Sequence, residues 1–133
     1  MSNNKFNFKE SDYIAFLEKS NHNLIMQIEN NSNYFQKYCE FHNKICYEKN
    51  FDIKYLILGL SGEVGEVANE IKKMERDDNN IITESRKNNI ILELGDVMWY
   101  FICISNKLNI PIKNILDKNI QKLMSYDDVK KIL

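Results

Sequence analysis

Leu56-Ile57-Leu58-Gly59-Leu60-Ser61-Gly62-Glu63-Val64-Gly65-Glu66-Val67-Ala68-Asn69-Glu70-Ile71-Lys72-Lys73-Met74 is the stretch that decides the fold. Leu56, Leu60, Val64, Val67, Ile71 and Met74 recur with the 3.6-residue period of an amphipathic helix, expected from about Ile53 to Arg76. At about 100° per residue, Glu63, Glu66 and Glu70 fall along one edge of that stripe and border the core. About thirty residues on, Glu93-Leu94-Gly95-Asp96 repeats the acidic i, i+3 spacing. Such a pair shares one helix face, so two pairs on facing helices can converge on an oxygen-only pocket for a hard divalent cation. On spacing alone, a solvated acidic helix edge competes with that reading.

Around this helix the chain reads as further helices. With one proline and four glycines, it lacks the turn chemistry of an all-β domain. The expected class is all-α. Residues 11–29 carry Ile14, Leu17, Leu24, Ile25 and Ile28 at loosely helical spacing, with Ser11 or Asp12 as N-cap. Asn30-Asn31-Ser32-Asn33 reads as a polar break, and Tyr34 to Glu48 resumes a helix before a short connection at Asn50 to Asp52. Asp77-Asp78-Asn79-Asn80 signals a turn, and Thr83 caps a helix running to about Leu108. Ile90, Leu94, Val97, Phe101, Ile104 and Leu108 form its core stripe, while Ile91, Met98, Trp99 and Ile102 make its other sides apolar. A helix apolar over most of its circumference is central. Pro111 opens a last helix to about Met124, with Ile112, Ile115, Leu116, Ile120 and Leu123 inward.

Length and composition narrow the classes. At 133 residues the chain suits one domain with a single core. A net charge of -1 carries no global signal for a nucleic acid polymer. No apolar run approaches the roughly 20 residues needed to span a bilayer, and a cytoplasmic location is expected. Cys39, Cys46 and Cys103 make an odd count with no close pair, so reduced thiols packed as small hydrophobes are expected rather than a disulfide. His22 and His42 lie outside both acidic phrases and read as surface or core-edge histidines.

All four glycines, Gly59, Gly62, Gly65 and Gly95, flank the carboxylates inside helices, where each costs about 1 kcal/mol relative to alanine. They serve close helix packing or leave room beside the acids for a ligand. Converging carboxylates raise one another's pKa, and a divalent metal resolves that conflict. Mg²⁺ suits an oxygen set shared with waters and phosphates. Trp99 reads as a core or subunit-contact aromatic in preference to a base-stacking one.

Gly59 to Ala68, then Ile71-Lys72-Lys73, and Glu93-Leu94-Gly95-Asp96-Val97-Met98-Trp99-Tyr100 resemble the MazG-like all-α nucleoside triphosphate pyrophosphohydrolases, whose pattern is E-x-x-E followed by E-x-x-D. The resemblance covers about Tyr34 to Tyr126. It implies a helical bundle of four core helices, with residues 33–133 the nucleotide-hydrolysing domain; residues 1–32 fall outside the resemblance and are expected as an extra N-terminal helical extension. It also implies a homodimer or homotetramer. Glu63, Glu66, Glu93 and Asp96 would be catalytic metal ligands for Mg²⁺ or Mn²⁺. The implied reaction splits a nucleoside triphosphate between its α and β phosphates, giving a monophosphate and pyrophosphate for nucleotide-pool control or house-cleaning. Lys72, Lys73 and Arg76 could hold the triphosphate, and Asn119, Lys122, Leu123 and Tyr126 match a phrase of the family's last helix. Ser125 stands where the family usually has arginine, so that phosphate contact does not carry over. Two alternatives remain: a member specific for dUTP, dCTP or a phosphoribosyl nucleotide, and a catalytically silent bundle acting in regulation or protein binding.

Overall fold

The computed structural model describes residues 22–132, and no strand occurs among them. Among the described residues five helices follow in order: α1 (His22–Lys49), α2 (Ile53–Asp77), α3 (Glu84–Lys107), α4 (Ile112–Met124) and α5 (Asp127–Lys130). The expected all-α class is the one observed. Residues 39–110 form one compact unit, and residues 22–38 and 111–132 belong to a second.

Helix ends follow the capping chemistry of the sequence. Asp52 accepts from the Lys54 amide at 2.8 Å to start α2, and Thr83 Oγ1 accepts from the Arg86 amide at 3.1 Å to start α3. Asparagines do the terminating. Asn50, Asn79, Asn80 and Asn109 take positive φ values of 45°, 53°, 61° and 54° just past helix ends. Asparagine tolerates this left-handed region better than other side-chain-bearing residues, which frees the glycines for use inside helices.

The polar run at Asn30 to Asn33 does not break the chain: α1 continues through it. Asparagine and serine cost well under 1 kcal/mol each in a helix, and neither a glycine nor a proline interrupts the run. The proposed caps Ser11 and Asp12 lie outside the described residues. The four-residue α5, which periodicity did not suggest, starts with Asp127 and Asp128, and Lys130 donates to Asp127 at 3.2 Å.

Within residues 39–110, two ladders of contacts fix helix directions. Glu70 meets Arg86 and Asn89, Glu63 meets Glu93 and Asp96, and Gly59 meets Tyr100. As α2 descends, α3 ascends, so the pair is antiparallel. His42 meets Trp99, Cys46 meets Cys103, and Asn50 meets Lys107. This pairing keeps a constant offset, so α1 runs parallel to α3. Helix α3 is thus the element that α1 and α2 share, but its apolar circumference is not covered all round, since Ile91, Leu94 and Met98 stay exposed.

Its packing differs from the expected stripes. Leu56, Ile102, Cys103 and His42 are buried, whereas Val64 and Leu94 are 52% and 50% exposed. His42 is therefore no surface histidine; it is wholly enclosed between α1 and α3, with Nε2 2.7 Å from the Trp99 carbonyl oxygen. The thiol expectation also fails. Cys46 and Cys103 form a disulfide across a separation of 57 residues, and Cys39 remains the free cysteine. An odd count leaves one cysteine over but does not prevent two others from meeting on parallel helices.

Trp99 belongs to an aromatic cluster, tilted against His42 at 5.1 Å and edge-on to Tyr100 at 5.2 Å. Gly59 is required by this cluster, because a Cβ there would overlap the Tyr100 ring. Gly62, Gly65 and Gly95 face open space. Gly59→Ala should therefore lower the melting temperature, since overpacking of about 1–3 kcal/mol outweighs the gain of about 1 kcal/mol in helix propensity. Gly62→Ala should raise it by a few degrees. Thermal melts of the two variants check this opposition.

Candidate metal centre

The antiparallel pairing of α2 and α3 turns two linear acidic phrases into one cluster. Carboxylate oxygens of Glu63, Glu93 and Asp96 all lie within 4.8 Å of one another. Glu63 and Glu93 are half-buried, and Asp96 is exposed. Burial pushes the Glu63 carboxyl up, and the negative charges of Asp96, Glu93 and Glu66 push it further the same way. Glu66 stands apart from the three. It is exposed one turn along α2 and accepts from Asn69 Nδ2 at 3.4 Å.

The donor set fits a hard cation. Oxygen ligands about 2.1 Å from Mg²⁺ lie about 3.0 Å apart when adjacent and about 4.2 Å when opposite, within the observed span. Three converging carboxylates without nitrogen or sulfur donors favour Mg²⁺ or Mn²⁺ over softer metals. The open faces of Gly62, Gly65 and Gly95 leave the helix surface beside the cluster uncovered. Tyr100 borders it: donation to Tyr55, then burial, then the charges of Tyr55, Glu63 and Asp96 keep its phenol protonated.

The basic residues of α2 are partly engaged. Lys73 is paired with the buried Glu70, and Arg76 clasps Asp77 through two contacts of 2.6 Å. Lys72 is exposed. Asn119 and Lys122 lie on α4, and Tyr126 follows it, within the second compact unit. Ser125 caps α4, its hydroxyl donating to the Lys122 carbonyl at 2.6 Å.

Sequence reading missed one network beside the site. Glu70 Oε2 accepts from Arg86 at 2.7 Å and from Asn89 at 3.2 Å, while Arg86 Nε donates to Asp78 at 2.8 Å. Donation from Lys73 above all, then from Arg86 and Asn89, holds the Glu70 carboxyl at about 2, and the bonds to Asp78 and Glu70 raise the Arg86 guanidinium. A signal was present: a cation in the first turn of a helix opposes the helix dipole unless acids offset it.

Residues 51–128 match the MazG nucleotide pyrophosphohydrolase domain. The chain belongs to that family. The MazG match starts just before α2 and takes in both acidic phrases, so the clustered carboxylates lie wholly inside it. The chain is also 40% identical over 76 residues to the Gene 37 protein of Mycobacterium phage L5, across 57% of this chain and 67% of the phage protein. No solved structure matches it. No described helix is long and apolar enough to cross a membrane.

Proposed function

We propose that this MazG-family chain is a Mg²⁺-dependent pyrophosphohydrolase that converts a nucleoside or deoxynucleoside triphosphate to the monophosphate and pyrophosphate. The observation that carries this reading is the convergence of Glu63, Glu93 and Asp96 from facing helices inside a MazG domain. These three carboxylates hold the cation, and Mn²⁺ suits the same donors. When bound, the cation would supply positive charge against the triphosphate and acidify an attacking water.

Glu66, outside the three-acid cluster, is assigned the proton of that water. Water oxygen then joins the α-phosphorus as the bond to the bridging α–β oxygen breaks and pyrophosphate leaves. Lys72, Lys73 and Arg76 form the basic edge of α2 that follows the acids, and we assign them to the triphosphate. Asn119, Lys122 and Tyr126 are assigned to the substrate by the same family pattern. The role is nucleotide-pool control in the cytoplasm, with residues 1–32 an extension to the domain of residues 33–133.

Self-association is part of the proposal. Leu58, Leu92 and Ile91 are 73%, 67% and 56% exposed on α2 and α3, more apolar surface than two packed helices need leave open. A homodimer or homotetramer would cover it.

The test is incubation of the purified protein with a panel of nucleoside triphosphates and Mg²⁺, with products resolved by chromatography. Monophosphate and pyrophosphate in equal amounts are expected. Diphosphate with orthophosphate would establish a different reaction, and no turnover of any triphosphate would favour a silent scaffold.

A further inference from the structure

The disulfide between Cys46 of α1 and Cys103 of α3 lies outside the chemistry assigned to the acids. Cys46 precedes residues 51–128, so the MazG match does not account for the link. A cavity of about 920 Å³ has both cysteines in its wall, beside Asn43, Phe51, Leu56 and Asn106. A bond that only stabilised the core would be sealed within it.

We infer that the Cys46–Cys103 disulfide is a reducible clasp: it holds the end of α1 on α3, and a dithiol entering the cavity opens it, releasing α1 while α2 and α3 stay paired. The end of α1 buries little. Of residues 39–49 His42 alone is buried, whereas Phe41 and Tyr47 are 64% and 85% exposed. Asn106 donates to Asn43, and Lys107 donates to Asn50 at 3.1 Å, both in exposed positions where water competes. A cross-link spanning 57 residues removes much of the open chain's freedom, so its loss is felt. The α2–α3 pair has other holds. Buried Glu70 receives Arg86 and Asn89, and Gly59 admits the Tyr100 ring. Segments with few buried contacts and exposed hydrogen bonds open before the core does.

The cavity supplies access for the reductant. Cys103 is 2% exposed and Cys46 is half-buried, so Cys46 Sγ is the sulfur open to attack. Lys44 and Lys107 line the same wall against one acid, Glu48, and positive charge favours an approaching thiolate. One thiolate of the dithiol bonds to Cys46 Sγ as the S–S bond breaks, and Cys103 leaves and takes a proton. The second thiolate then displaces Cys46, which takes the other proton. The dithiol gives up two electrons and two protons in becoming a disulfide, and the two cysteines gain them.

The release reaches the acids through aromatic packing. His42 of α1 lies 2.7 Å from the Trp99 carbonyl oxygen and packs on the Trp99 ring at 5.1 Å. Trp99 is the chain's single tryptophan, edge-on to Tyr100, which borders the acidic cluster. Freeing α1 uncovers Trp99 and loosens that wall.

Full-length protein treated with excess dithiothreitol without denaturant should pass from one free thiol, Cys39, to three. Hydrogen exchange should then show residues 39–49 losing amide protection at least about tenfold while α2 and α3 keep theirs. Acrylamide quenching of Trp99 should rise, and reoxidation should reverse every change. Cys46→Ser should match reduced wild type with or without dithiothreitol, and Cys39→Ser should behave as wild type in both states. Circular dichroism shows whether each variant is folded, and reduced wild type carries the test without any substitution. The clasp is overturned if reduction needs denaturant, if reduced wild type keeps the protection of residues 39–49, if α2 and α3 lose theirs together with α1, or if Cys39→Ser abolishes the oxidised state.

Discussion

Asp96→Asn is expected to lower turnover of the preferred triphosphate by about 10²–10³-fold while leaving the helical fold intact. The substitution keeps the side chain's shape and removes one of three charges that converge between α2 and α3. Asp96 is exposed, so no buried partner is orphaned. Removing its charge also relieves Glu63, whose carboxyl is pushed up partly by Asp96. A carboxyl with a raised folded pKa stabilises below its unfolded value, and that contribution is lost as pH rises through the folded value. The metal-free wild type therefore carries a larger cost at neutral pH than the variant, in which burial and the charges of Glu93 and Glu66 still act on Glu63. Melting temperature without Mg²⁺ should be equal or higher in Asp96→Asn, and the rise on adding Mg²⁺ should shrink. Steady-state kinetics with paired thermal melts check both halves. Turnover within about threefold of wild type would sink the site assignment.

The four acids were legible because helical spacing is local information. Two i, i+3 pairs and an apolar stripe are enough to say that carboxylates border a core. Spacing cannot say which of them meet. Glu63, Glu93 and Asp96 do so because α2 and α3 are antiparallel in a register set by Arg86, Tyr100 and the loop between them; Glu66 lies one turn too far along. The glycines divide on the same ground. Gly59 is forced by the Tyr100 ring, and the other three face open space, a distinction that depends on a neighbour more than 30 residues away in sequence.

Helix boundaries near caps were readable, since Asp52, Thr83 and the asparagine turns act within a few residues. The polar run in α1 was misread because a weak propensity penalty resembles a stop until the helix is seen to continue. Cys46 and Cys103 were beyond reach, as nothing local announces that α1 runs parallel to α3. The buried core was also harder to read than the stripes suggested. A stripe marks which face can be covered, and Val64 and Leu94 lie on such faces while remaining half exposed.

Glu70→Leu should lower the melting temperature by roughly 10 °C, the largest stability effect expected here. Glu70 is 3% exposed and receives Lys73, Arg86 and Asn89, so its removal leaves a guanidinium that is 13% exposed with Asp78 alone. The pH dependence has a definite sign. A carboxyl held at about 2 in the fold and near 4.3 when unfolded contributes stability that is complete above the unfolded value and lost as pH falls toward the folded one. Wild type should therefore weaken between about pH 4.5 and 2, and Glu70→Gln should have a shallower acid slope across that interval. Urea unfolding at stepped pH measures it, and superimposable slopes would remove the carboxylate from the account. The same variant separates two roles that spacing confuses. Glu70 shares the acidic edge of Glu63 and Glu66, and on position alone it could be a further metal ligand. Its three donors already occupy it, which makes it the clamp that sets the register of α2 and α3. Glu70→Gln assayed well below its melting temperature should keep turnover within several-fold of wild type. A loss as deep as that of Asp96→Asn would instead put Glu70 among the metal's ligands.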